Sequence, residues 1–203
     1  WVTDIDKAIA LHPTHISAYS LMYEEDTPLF RMLQKGEINQ IDDETSLAMY
    51  TELINRLTAN GYEHYEISNF AMPGYRSVHN SSYWHDTPYL GFGAAAHSYN
   101  KDTRSWNIPD LKKYIESIES GVLPSESEVI DADTHYNDLI TTALRTREGL
   151  NLDDLPQKYR EYALVNARKS ISEHLLEATD SHIRLTREGL FVSDMVMSEL
   201  IKA

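Results

Sequence analysis

The spacing of apolar residues divides the chain into an alternating stretch and a helical one. Trp1, Ile5, Ala8 and Ile9 recur at helical spacing. In "HPTHISAYSLMYEE", Ile16, Ala18, Ser20 and Met22 alternate with Ser17, Tyr19, Leu21 and Tyr23. Both sets are apolar or small, the pattern of a strand buried on both faces in a parallel sheet. "DTPLFRMLQKG" predicts a short helical turn ending at Gly36. A strong helix follows, capped by Asp42 or Asp43, with Leu47, Tyr50, Leu53, Ile54 and Leu57 on one face and Gly61 as its stop. "YEHYEIS" then predicts a second strand, so strand, helix and strand come in order. That order is the mark of a βα repeat with parallel strands. "NFAMPGYRSVHN" reads as loop, and "YLGFGAAAHSY" as another short buried strand. The small residues of that strand predict close approach of a neighbouring backbone or a flat ligand. "PDLKKYIESIESG" predicts a capped helix with Leu111, Tyr114, Ile115 and Ile118 on one face.

Around Pro124 the pattern changes. From Asp133 the chain reads mostly helical, with Tyr136, Leu139, Ile140, Ala143 and Leu144 in one stripe and Leu164, Ile171 and Leu175 in another. "HIRL" predicts a short strand, and Thr186 caps a last helix running through Leu200. The expected organisation is α/β: a parallel-stranded portion over 1–123, then a small, mainly helical, winged-helix-like domain over 124–203.

Composition narrows the function. The net charge of -14, with no run of Lys or Arg, argues against a nucleic-acid partner. The chain has no cysteine, which excludes disulfides, a thiol nucleophile and a thiolate-held iron–sulfur cluster within it. No apolar run reaches the roughly 20 residues that span a bilayer. A cytoplasmic protein is expected, with membranes met only through a partner. The chain opens at Trp1 inside an uncapped helical pattern, so it reads as a piece of a longer protein.

Ligand-capable side chains gather in "HNSSYWHDTPYLGFGAAAHSY", residues 79–99. His79, His85 and His97 lie there, at the expected C-terminal ends of the strands, where α/β folds place ligands. His12, His15, His64, His135, His174 and His182 are scattered and read as structural or solvated. Glu66 is expected on a buried strand with Ser68 and Asn69 at its exit. It is either a paired interior carboxylate or a polar group aimed at a ligand. No dinucleotide turn, nucleophile elbow or phosphate loop occurs.

"HISAYSLMYEEDTPLF", "GYEHYEISNFAMPG", "HNSSYW", "YLGFGAAAHS", "RSWNIPDLKKYI" and, near the end, "LTREG" together resemble the oxygen-independent coproporphyrinogen III oxidase family. The His79, Asn80, Tyr83 and Trp84 of "HNSSYW" are similar to the HNxxYW element of its haem-chaperone branch, HemW. The resemblance implies a radical S-adenosylmethionine (SAM) protein built on a partial (β/α) barrel. Members hold a [4Fe-4S] cluster on a C-x3-C-x2-C motif and use it to cleave SAM to a 5'-deoxyadenosyl radical. The oxidase branch decarboxylates porphyrinogen propionates, whereas the HemW branch binds haem and passes it to acceptor proteins. HNxxYW favours the carrier.

Without cysteines this chain matches only the C-terminal part of the barrel and the C-terminal domain that follows it. Alone, it is expected to be catalytically inert, with no tightly bound cofactor and an open barrel edge prone to self-association. The resemblance makes His79, Asn80, Tyr83 and Trp84 the tetrapyrrole contacts, with His79 as axial or contacting ligand. Met22 and His97 become SAM-proximal. Two other readings stay open: a metal-dependent hydrolase using His79, His85 and His97, and a non-catalytic interaction domain.

Overall fold

A computed structural model describes residues 1–202. The chain forms two compact units, Trp1–Ser77 and the residues from Val78 on.

The first unit contains α1 (Val2–Ala10), β1 (His15–Ser17), α2 (Pro28–Gln34), α3 (Asp43–Ala59), β2 (Glu63–Glu66) and β3 (Asn69–Ala71). Local chemistry sets the helix ends. Thr27 caps α2 ahead of Pro28, and the Asp42 carboxylate accepts from the Thr45 N–H to start α3. Gly61, at φ 88°, turns the chain out of α3 into β2. Leu53, Ile54 and Leu57 of α3 join Ile5, Tyr62 and Phe70 in a small core. Leu47, expected on the same face, is 43% exposed.

The expected parallel pairing is corrected. The sheet order is β1–β3–β2, and both pairings are antiparallel, with His15 opposite Ala71 and Glu63 also opposite Ala71 across β3. The cause is a tight turn at Ile67–Ser68, which folds "YEHYEIS" and "NFA" into a hairpin, and a hairpin is antiparallel by construction. Only His15–Ser17 of the expected long first strand pairs, and Tyr19, Leu21 and Met22 lie exposed beyond it.

The second unit begins with α4 (Val78–Trp84), β4 (His97–Tyr99), β5 (Thr103–Asn107), α5 (Leu111–Glu119) and β6 (Ser125–Val129). The three strands form an antiparallel meander in the order β4–β5–β6. Next come α6 (Ala132–Ala143), β7 (Leu150–Asn151), a short 3-10 turn at Leu152–Asp154, α7 (Gln157–Asn166) and α8 (Arg168–Ser172). β8 (Leu176–Ala178), β9 (His182–Leu185), α9 (Arg187–Leu190) and α10 (Ser193–Leu200) complete the unit. Here β7, β9 and β8 pair antiparallel in that order.

Tyr136, Ile140 and Leu144 of the expected α6 stripe are buried, and Leu139 and Ala143 pack beside them. Leu150, Leu176, Ile183, Val196 and Leu200 close the same core. Thr186 caps only the single turn of α9, and α10 starts separately at Ser193. The apolar face of α5 is not covered, since Leu111, Ile115 and Ile118 are 65%, 46% and 43% exposed.

Candidate functional site

The "HNSSYW" element, expected in a loop, is the helix α4. Helical spacing brings His79 and Tyr83 onto one side, one turn apart. The Tyr83 hydroxyl lies 3.2 Å from His79 Nε2, and the two rings meet edge to face. Tyr83 also packs edge to face on Tyr89, which lies beside Tyr99. His79 and Tyr83 are exposed, whereas Asn80 and Trp84 are half-buried.

Beyond α4 the chain reverses at Asp86, whose φ of 51° lies in the left-handed region. Asp86 joins three parts of the unit. Its carboxylate accepts from the Tyr99 hydroxyl on β4 and from Lys101 Nζ at 3.0 Å. On α6, His135 Nε2 stands 3.2 Å from Asp86 Oδ1 but is not aligned for a hydrogen bond. Burial opposes ionisation of Asp86, yet the bonds from Tyr99 and Lys101 outweigh it and hold the carboxyl below its usual range. Burial and that same carboxylate push the Tyr99 phenol up, so Tyr99 stays a neutral donor.

Trp84, His85 and Asp86 open onto a cleft of about 690 Å³, lined also by Lys101, His135 and His182. That volume lies within the roughly 300–1,000 Å³ of small-molecule sites. His135 and His182, read from sequence as structural, are therefore cleft residues. Their signal was absent from local spacing, because only the fold brings α6 and β9 to the end of α4.

The "GFGAAA" run is not a buried strand, and Leu90 and Phe92 are 77% and 88% exposed. Its small residues serve the chain's own backbone. A Cβ on Gly91 would sit 2.1 Å from the His97 carbonyl oxygen. Gly93 and Ala95 adopt positive φ, and the turn is fixed by Ala95 N–H donating to Ile108 O and Asn107 Nδ2 to Gly93 O.

His97 is exposed at the start of β4, opposite Trp106. His79, His85 and His97 make no metal centre: among the described residues no group of three or more His, Cys, Asp or Glu could hold an ion. In the first unit, Met22 is 73% exposed in irregular backbone after β1. Glu66 there is a paired interior carboxylate. It is 2% exposed and accepts from the Ser68 N–H at 2.9 Å and from Asn69 Nδ2, while Asn69 accepts from Ser17 Oγ at 2.6 Å. His15 bonds Tyr65 at 2.7 Å, and burial lowers its pKa. The absent thiolates mean that these residues do not fit a [4Fe-4S] cluster. No helix among the described residues is long and apolar enough to cross a membrane.

Residues 130–192 match the HemN C-terminal domain. The chain is 30% identical over 202 residues to the haem chaperone HemW of Bacillus subtilis, covering 97% of this chain and 53% of that protein. To HemW of Mycobacterium tuberculosis it is 32% identical over 201 residues, covering 98% and 50%. The mitochondrial radical S-adenosyl methionine domain-containing protein 1 of Bos taurus is 27% identical over 224 residues, covering 99% and 49%. The chain thus spans about half the length of the curated relatives it matches. In structure it resembles coproporphyrinogen III oxidase (HemN) of Escherichia coli, a radical SAM enzyme. The TM-score is 0.73 at 18% identity, over 98% of this chain and 50% of that one. That likeness establishes the fold: an α/β C-terminal part of the radical-SAM architecture. The chain belongs to the HemN/HemW radical-SAM family, and its residues 130–192 are that family's C-terminal domain.

Proposed function

We propose that this chain is the tetrapyrrole-binding part of a haem carrier, with residues 1–123 contributing to the barrel and 124–203 forming the C-terminal domain. The observation that carries the reading is α4 itself: "HNSSYW" forms a helix whose last residue, Trp84, opens onto a ligand-sized cleft. A porphyrin needs aromatic surface for its ring and an imidazole or phenol near its iron. Trp84 supplies ring surface, and His79, Asn80 and Tyr83 supply polar contacts along the same helix. HemW relatives named as haem chaperones, matched over nearly the whole chain, support haem as the cargo.

The [4Fe-4S] cluster and its SAM chemistry belong to the cysteine-bearing remainder of such a protein. Met22 and His97 are proposed to lie near SAM there. This chain's own residues bind and orient the tetrapyrrole and perform no radical step. Transfer goes to a haem-acceptor protein in the cytoplasm, and any membrane is reached through that partner. The sheet edges at β1 and β2 are proposed contacts for self-association. Porphyrinogen decarboxylation remains the reading drawn from the structural relative's name, and the HNxxYW element favours the carrier over it.

Titrating ferric haem into the chain and following the Soret band tests the reading. Saturable uptake with a protein-specific Soret band is expected. A titration indistinguishable from haem in buffer overturns it.

A further inference from the structure

Helix α5 turns one flank to its own unit and leaves an apolar stripe bare. Tyr114 and Ser117 are half-buried, and the Tyr114 hydroxyl accepts from the Gly93 N–H at 3.2 Å. Leu111, Ile115 and Ile118 lie on an adjoining side of the helix and are exposed. At the helix end the Gly121 N–H donates to Ile118 O and the Val122 N–H to Ser117 O, both at 2.9 Å. That cap fixes the course of the chain at Val122, which is also exposed. Leu111, Ile115, Ile118 and Val122 are spaced four, three and four residues apart, the rhythm with which two helices form a shared seam.

The stripe reads the same in both directions. Reversal about its midpoint exchanges Leu111 with Val122 and Ile115 with Ile118. A two-fold axis through that midpoint therefore seats Ile115 of each copy beside Ile118 of the other. The outer flank is complementary under the same operation, since it carries Lys112 near its start and Glu119 near its end. In an antiparallel pair Lys112 of each copy comes level with Glu119 of the other, offset by about 3 Å at a rise of about 1.5 Å per residue. A parallel pair sets Lys112 against the Tyr114 flank instead and forms no such pairs. Within one chain Lys112 stands 3.8 Å from Glu116 between exposed side chains, a weak contact that leaves it able to turn. The net charge of -14 opposes the approach of two copies in general, so a contact between them needs a patch whose own charges match.

We propose that α5 is a dimerisation surface and that its occupant is α5 of a second copy of this chain. The two helices pack antiparallel, with Leu111, Ile115, Ile118 and Val122 interleaved and two Lys112–Glu119 pairs along the outer rim. The proposal does not depend on the tetrapyrrole reading. It places a contact for self-association in the second unit, separate from the sheet edges of the first. Nine helical residues make about two and a half turns, a small interface. The dimer is therefore weak, and dilution returns single chains whose own stability does not draw on the contact.

Sedimentation velocity over a roughly hundredfold range of chain concentration measures the dimer by mass action. A dimer fraction that grows with concentration is expected. Lys112→Glu and Glu119→Lys are each expected to weaken dimerisation about tenfold or more, because each sets like charges face to face. Mixing the two singly substituted chains, or combining both substitutions in one chain, should restore it. Ile115→Asp, at an exposed position, is expected to leave only monomer. Circular dichroism on each variant checks folding. A chain that stays monomeric throughout overturns the proposal and leaves the stripe to a different protein. Self-association unchanged in Ile115→Asp and Lys112→Glu also overturns it and moves the contact elsewhere, the sheet edges included. Weakening by the single substitutions without recovery in their mixture overturns the antiparallel arrangement.

Discussion

Two carboxylates, Glu66 in the first unit and Asp86 in the second, both accept hydrogen bonds from their neighbours yet serve different ends. Glu66 is sealed: it accepts from Ser68 and Asn69, Asn69 is held in turn by Ser17, and the group is 2% exposed. Such a closed network fixes a hairpin and offers nothing to a ligand. Asp86 takes its bonds from Tyr99 and Lys101, stands beside His135, and lines a cleft. It fixes the chain just past α4 on the wall of that cleft, with the buried His135 Nε2 beside it. A buried polar cluster is thus read as structure or as site by where its remaining lone pairs point.

Substitutions should separate the two. The largest loss of stability is expected from Glu66→Ala, because each donor left unpaired in the interior costs about 1–3 kcal/mol, and both the Ser68 N–H and the Asn69 amide donate to this carboxylate. Urea unfolding measures it, and haem uptake by the protein that remains folded should be unchanged. A loss below about 1 kcal/mol would show that the network is not closed.

Gly91→Ala comes next, at about 2–3 kcal/mol, the upper part of the range for single substitutions. Its Cβ would lie 2.1 Å from backbone oxygen that β4 pairing holds in place. A neutral result would mean that the 91–97 turn relaxes without cost.

A smaller effect belongs to Asp86→Asn and depends on pH. The carboxyl titrates below its unfolded value of about 3.9, so its bonds stabilise the fold fully above that pH. The contribution fades as pH falls through the lowered folded value. The substitution should lower the melting temperature at neutral pH, by the equivalent of about 1 kcal/mol, and leave it nearly unchanged in strong acid. Equal losses at both ends would contradict an ionised Asp86.

Much of the helical architecture was legible because its causes are local. Asp42 and Asp110 cap α3 and α5, and the Tyr136–Ile140–Leu144 stripe buries one side of α6. Strand direction was not legible, since alternation is the same for parallel and antiparallel partners, and the Ile67–Ser68 turn lacks the usual Asn-Gly signal. Helix α4 was hidden by its composition: Asn80, Ser81 and Ser82 are weak helix formers. The exposed face of α5 shows that an amphipathic pattern marks a face fit for burial without saying what buries it. Of the site, the 79–99 stretch and Trp84 were visible in the sequence. The roles of Asp86, His135 and His182 came only from the fold that brings distant residues to one cleft.

The smallest effect is expected at a surface ion pair distant from both carboxylates in character. Lys112–Glu116 spans 3.8 Å between exposed side chains, and Lys112→Ala should change stability by less than about 0.5 kcal/mol. A larger change would mean that the exposed helix α5 contributes more to the fold than its contacts indicate.

The central claim is that α4 and its cleft seat a tetrapyrrole, and ferric haem titration of Trp84→Ala beside the unsubstituted chain tests it most directly. Removing the indole takes away ring contact but not the imidazoles. The account predicts affinity weakened about tenfold, with the Soret position of the bound form preserved. Haem uptake of equal affinity by the two proteins would contradict it.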